Sequence, residues 1–120
     1  MLEARVHIVR KVMAMSKFLL TYHGGSGMPD SPEARKQVME AFGAWASSVG
    51  SAMVDPGAPL VAFRTVSKDS VAEGPADGAV GGYTLLEAES LDAAVKLAET
   101  HPFVGRGGSL QVSEAANLGG

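Results

Sequence analysis

The sequence contains no cysteine, which excludes a disulfide framework, a thiolate metal site and a cysteine nucleophile. It also lacks any apolar run near the roughly 20 residues a bilayer-spanning helix needs. Its first residues lack the apolar centre and small-residue cleavage site of a secretory signal. No membrane partner is expected, and a cytoplasmic location is the default expectation. Basic charge is scarce and dispersed. Ten Lys and Arg against thirteen Asp and Glu give a net charge of -3. No stripe of cations is present to neutralise phosphates, so nucleic acid is not an expected partner.

The chain has 120 residues, 46% hydrophobic and 19% charged. That balance fits a folded globular domain rather than a disordered chain or a coiled coil. The length suits one core that buries about two thirds of the surface an unfolded chain exposes. The opening "MLEARVHIVRKVMA" differs in composition from the rest of the chain and ends just before Met15. Residues 1–14 are read as an N-terminal extension and residues 15–120 as the domain. The competing reading makes the extension a short strand or helix on Val6, Ile8 and Val9.

Along the domain, residues 16–23 predict an apolar and aromatic strand stopped by Gly24 and Gly25. A helix comes next: Asp30 or Ser31 can cap it, Pro32 suits its first position, Glu33 its first turn, and Gly50 its end. Val38, Phe42, Trp45 and Val49 recur at helical spacing, and Trp45 with Phe42 and Met39 reads as a core stripe. "DPGAPL" reads as a turn. Residues 60–66 alternate as a second strand, and residues 67–80 read as a long loop. "YTLLEA" is a third strand. Ser90 caps a second helix with Leu91, Ala94, Val95 and Ala98 on one face, and Pro102 prevents its continuation. "SLQVSEA" is a fourth strand. The order β, α, β, β, α, β predicts an α+β, ferredoxin-like βαββαβ domain with an antiparallel sheet and both helices on one face.

Strand alternation then sorts residues between the two faces. Phe18, Leu20, Tyr22, Val61, Phe63, Leu86, Ala88, Leu110 and Val112 are expected under the helices. Leu19, Thr21, His23, Leu60, Ala62, Arg64, Val66, Tyr83, Leu85, Glu87 and Gln111 are expected on the open face. That face is half apolar, which predicts that a second copy packs across it. Between two such sheets, His23, Arg64, Tyr83, Glu87 and Gln111 would line a pocket with an apolar wall and a few directed polar groups.

Three segments, "AMVDPGAPL", "VAEGPADGAVGGYTLLEAESLDAAVKLAETHPF" and "GRGGSLQVSEA", resemble the YciI-related (YCII, with its DGPF branch) family over residues 16–116. The resemblance implies a dimeric α/β barrel of ferredoxin-like subunits, mostly of unassigned role, with some relatives linked to chlorinated-lactone dehalogenation. Activity proposals for that family centre on a histidine in the first helix and an aspartate before the proline that ends the second. Here the first helix holds no histidine, and His101 precedes Pro102. "EGPADG" keeps Gly74 and Pro75 of the DGPF motif, with Glu73 in place of its Asp and Ala76 in place of its Phe. The proposed dyad is absent, so the resemblance carries no activity over.

Two readings stand beside each candidate. His23 can serve as acid or base, or be a polar residue at a strand end. Arg64 can clamp a carboxylate or pair with Glu87 on a neighbouring strand. Glu87 can be a base or that arginine's partner. Tyr83 can donate to a ligand or pack. His101 reads mainly as a cation suited to the negative end of the second helix, and secondarily as a site residue. His7, His23 and His101 are too scattered for a metal set, so neither metal nor cofactor is expected. "GGSG" and "GRGG" lack the strand, turn and helix start of a phosphate cradle and read as turns. Two functions are consistent with these residues: a homodimeric module, or a higher oligomer, that binds an unidentified small molecule, preferred because the dyad is missing; or an enzyme of proton-transfer, lactone or dehalogenation type using His23.

Overall fold

The computed structural model describes residues 15–25, 28–76 and 78–117; the N-terminal extension and much of "GGSG" lie outside them. β1 (Ser16–Gly24) alternates buried and exposed positions, and the chain leaves it through Gly24 and Gly25 at positive φ. α1 (Pro32–Val49) starts where Ser31 Oγ accepts from the Ala34 N–H at 3.1 Å. That bond satisfies one of the donors a helix start leaves unpaired. α1 ends at Gly50, followed by a single 3-10 turn over Gly50–Ala52.

The second strand of the sheet is β2 (Met53–Pro59), the segment whose Asp-Pro-Gly sequence reads as a turn. It pairs with β5 (Gly82–Ala88) through Met53 and Leu86, Asp55 and Leu85, and Ala58 and Tyr83, with two register shifts between those pairs. β2 lies at the sheet edge, where a proline breaks no ladder between two neighbours and a bulge is tolerated. Gly57, at φ 74°, lets the bulge form, because a Cβ there would overlap the Tyr83 carbonyl oxygen. Asp55 Oδ1 accepts from the Gly57 N–H at 2.9 Å and fixes the bend.

The expected strand at 60–66 and loop at 67–80 are therefore corrected. β3 (Arg64–Ser67) and β4 (Ser70–Glu73) form a separate two-stranded hairpin, Arg64 opposite Glu73 and Val66 opposite Val71. The alternation that suggested a core strand is a property of this hairpin and its approach, where Val61 is 89% exposed and Val66 75%.

After β5, Ser90 Oγ accepts from Ala93 N–H at 3.0 Å and opens α2 (Leu91–Glu99). Pro102 then begins a short helix, α3 (Pro102–Gly105), and β6 (Gly108–Glu114) closes the chain's regular structure. The four-stranded sheet runs β2-β5-β1-β6, antiparallel throughout. This is an α+β arrangement compatible with a ferredoxin-like fold. Phe18, Leu20, Leu86 and Ala88 pack with Trp45, Val49, Ala94 and Ala98, so α1 and α2 cover the same face. The Trp45 Nε1–H donates to the Leu97 carbonyl at 3.0 Å, which ties the helices together. Leu91, expected on the packed side of α2, is instead exposed. No helix among the described residues is long and apolar enough to cross a membrane.

The bulge gives the first prediction. Gly57→Ala meets backbone, whereas Gly24→Ala, also at positive φ, meets open space. By denaturant unfolding, Gly24→Ala should lose about 1 kcal/mol and Gly57→Ala about 3 kcal/mol. Equal losses would contradict the bulge geometry.

Candidate ligand-binding cleft

Tyr22 falls in the helix-facing set of β1 with Phe18 and Leu20, where a hydroxyl must find a partner. It finds two: Thr84 Oγ1 on β5 at 2.7 Å and His101 Nε2 at 2.7 Å. Thr84, fully buried, donates in turn to the Pro56 carbonyl at 2.9 Å. At the other end, the Phe103 N–H donates to His101 Nδ1 at 3.0 Å. That bond makes the imidazole the side-chain cap of α3.

The two ends fix the direction of every bond between them. Nδ1 accepts from a backbone N–H, so it carries no proton, and the neutral ring must hold its proton on Nε2. Nε2–H donates to Tyr22, Tyr22 donates to Thr84, and Thr84 donates to a carbonyl that can only accept. No buried side-chain polar atom among the described residues is left without a partner.

The ring of His101 is 3% exposed and sits among aromatics, with centroid separations of 4.3 Å to Trp45, 5.1 Å to Tyr22 and 5.6 Å to Phe42. Burial, helped by the positive charge of Arg106, lowers its pKa to about 4. Burial also raises the Tyr22 phenol, against the opposing effects of the Thr84 hydrogen bond and Arg106. Both groups are neutral near pH 7. His101 is thus not the helix-closing cation that its position suggested; packing among aromatic rings removes the water a charged imidazole needs.

This hydrogen-bonded wall borders a cleft of about 240 Å³. α1 supplies Val38, Met39 and Phe42, the β2 bulge supplies Pro56 to Pro59, and Phe103 and Arg106 also line it. Met39, read as part of the core stripe, is 58% exposed and belongs to the cleft. Phe103 is held by close backbone approach: a Cβ on Gly108 would enter its ring, and one on Gly25 would press against it. Gly108 of "GRGG" is therefore more than a turn residue, whereas a Cβ at Gly105 or Gly107 would meet open space.

The expected site residues separate into three places. His23, Glu87 and Gln111 lie on the open face: His23 opposite Ser109, Glu87 opposite Lys17, and Gln111 opposite Thr21. Thr21 Oγ1 lies 2.8 Å from His23 Nε2, and Gln111 Nε2 donates to Ser113 Oγ at 3.1 Å. Lys17 and His23 are six positions apart on β1, so Glu87 and His23 stand about 20 Å apart along the strand and make no acid–base pair. Arg64 is not on the open face at all. It sits on the hairpin, 3.6 Å from Glu73, which replaces the expected pairing with Glu87. Tyr83 and His101 both border the cleft.

Sequence reasoning misses Tyr22, Thr84 and Arg106. The available signal is the pair of hydroxyl residues in otherwise apolar inward positions, each of which needs a buried partner. No protein-family model matches the sequence, and no curated protein does. No group of three His, Asp or Glu side chains among the described residues could hold a metal ion.

The neutral imidazole makes stability depend on pH with a defined sign. Its folded pKa, about 4, lies below the ordinary 6.5, so between these values the unfolded chain takes up a proton that the folded chain refuses. The stabilisation is complete above pH 6.5 and is lost as pH falls toward 4, by up to about 3 kcal/mol. His101→Asn keeps a cap for the Phe103 N–H and removes the titration. Urea unfolding at pH 7, 5.5 and 4.5 should show a steeper decline for the native chain than for the variant; parallel declines would contradict a buried neutral His101.

Proposed function

We propose that this chain is a YCII-related, homodimeric protein that binds a small molecule in the cleft bordered by His101 and Tyr22. The observation that carries this reading is the conjunction of an apolar concavity with a wall whose polar groups are already satisfied and rigid. Binding sites combine these features: hydrophobic lining, few polar groups, and little rearrangement on binding. A volume of about 240 Å³ lies below the roughly 300–1,000 Å³ of pockets for drug-sized ligands, which favours a compact metabolite. Exposed Met28 and Met39 at the cleft are side chains that adapt to different apolar shapes.

We set the pocket beside α1, whose Val38, Met39 and Phe42 line it, rather than between two sheets. The open face keeps its separate role in dimerisation: Leu19 is 37% exposed, and half-buried Leu85 pairs with it across the ladder. A second copy covering this face would complete a dimeric α/β barrel. Catalysis through His23 is the weaker reading, because its side chain meets Thr21 on the face opposite the cleft.

Light scattering during size exclusion should give twice the chain mass at micromolar concentration, and Leu19→Glu should give the single chain. A metabolite panel should raise the unfolding temperature of the native protein, and Ala58→Trp, which fills the cleft from an exposed edge position, should abolish the rise. A native monomer would overturn the dimer. Stabilisation that survives Ala58→Trp would overturn the cleft.

A further inference from the structure

The charge pattern around the cleft narrows the ligand further, and this step rests on the cleft being the binding site. Of the described residues that line it, Arg106 alone carries a permanent charge; none is Asp, Glu or Lys. Arg106 follows α3, where its backbone N–H donates to the Pro102 and Phe103 carbonyls at 3.2 Å each. Its guanidinium carbon stands 5.7 Å from the centre of the Phe103 ring. Among the described residues it forms no ion pair within 4.0 Å, whereas the surface cations Lys36 and Arg64 each meet a glutamate. Its positive charge is nevertheless close enough to act on both Tyr22 and His101 across the cleft.

The polar wall cannot serve an anion in its place. Both ring nitrogens of His101 are committed, one to the Phe103 N–H and one to Tyr22. Tyr22 spends its proton on Thr84, so what remains of its oxygen toward the cleft is a lone pair, which repels a carboxylate and welcomes an apolar edge or a donor. A ligand anion therefore has one charged donor to meet, at the rim, and its uncharged part faces Met39 and Phe42 of α1. An arginine fork matches the two oxygens of a carboxylate, and its plane already rests near an aromatic ring.

We propose that the cleft selects small ring-bearing carboxylates, with Arg106 gripping the carboxylate at the rim and the ring lying against Met39 and Phe42. The negative charge stays at the solvent edge, where desolvation is least, and the ring takes the apolar interior. Arg106 is a specificity-determining residue in this arrangement, and the hydrogen-bonded wall sets which end of the ligand enters first.

Phenylacetate and its uncharged amide, phenylacetamide, share shape and differ in charge. By calorimetric titration at pH 7 and low salt, the native protein should bind phenylacetate about 10-fold more tightly than the amide. R106Q should bring the two within about twofold, and R106K, a point charge without the fork, should fall between. Unfolding temperatures of the three proteins confirm that each is folded, since Arg106 is exposed. Equal binding of acid and amide to the native protein, or a preference for the acid that persists in R106Q, overturns the assignment of Arg106 while leaving the cleft. Binding of neither probe overturns the cleft as a ligand site and this assignment with it.

Discussion

A chain of hydrogen bonds anchored on the backbone at both ends is the constraint around which this domain is arranged. It begins at the Phe103 N–H, passes through His101, Tyr22 and Thr84, and ends at the Pro56 carbonyl. It thereby joins α3 to β1, β5 and β2, the elements that meet at one end of the sheet. Each side chain in it has one proton to give and one bond to receive, so a change at any of them leaves a buried group without its partner, and such groups cost about 1–3 kcal/mol apiece. The irregularity of β2 belongs to the same device. The Pro56 carbonyl lies within the second register shift, between Asp55 and Ala58, and there it accepts from the Thr84 side chain.

The cleft is a consequence of that arrangement. Because His101 caps α3, Phe103 is delivered against the backbones of Gly25 and Gly108, and the chain beyond it carries Arg106 to the rim. Because β2 bulges, its proline and glycine residues form a wall opposite α1 rather than a flat edge. The interior is left apolar and uncharged, with the cation outside it. A site of this kind discriminates by where charge is allowed, not by a dense set of donors.

Much of the fold is legible in the sequence, for reasons that are local. Ser31 and Ser90 have the side chains that helix starts require, Pro32 fits its position, and the alternation in β1 and β5 matches their buried faces. β2 is hidden because proline and glycine ordinarily signal a turn, and only its edge position makes them tolerable in a strand. The apolar alternation at 60–66 misleads for the complementary reason: a period of two identifies a strand but does not say which sheet it joins, and that gap assigns Arg64 to the wrong partner. Parity places His23, Glu87 and Gln111 on the open face, and the register agrees. It cannot reveal that the concavity forms on the other face, since that depends on His101 meeting a tyrosine 79 positions earlier.

The direction of every bond in the chain from Phe103 to Pro56 depends on the protonation of the His101 ring. The most direct measurement is the tautomer of His101, read from the nitrogen chemical shifts and two-bond couplings of the imidazole in the folded protein at pH 7. A neutral ring with its proton on Nε2 and an unprotonated Nδ1 is expected. A proton on Nδ1, or an imidazolium at that pH, would contradict it.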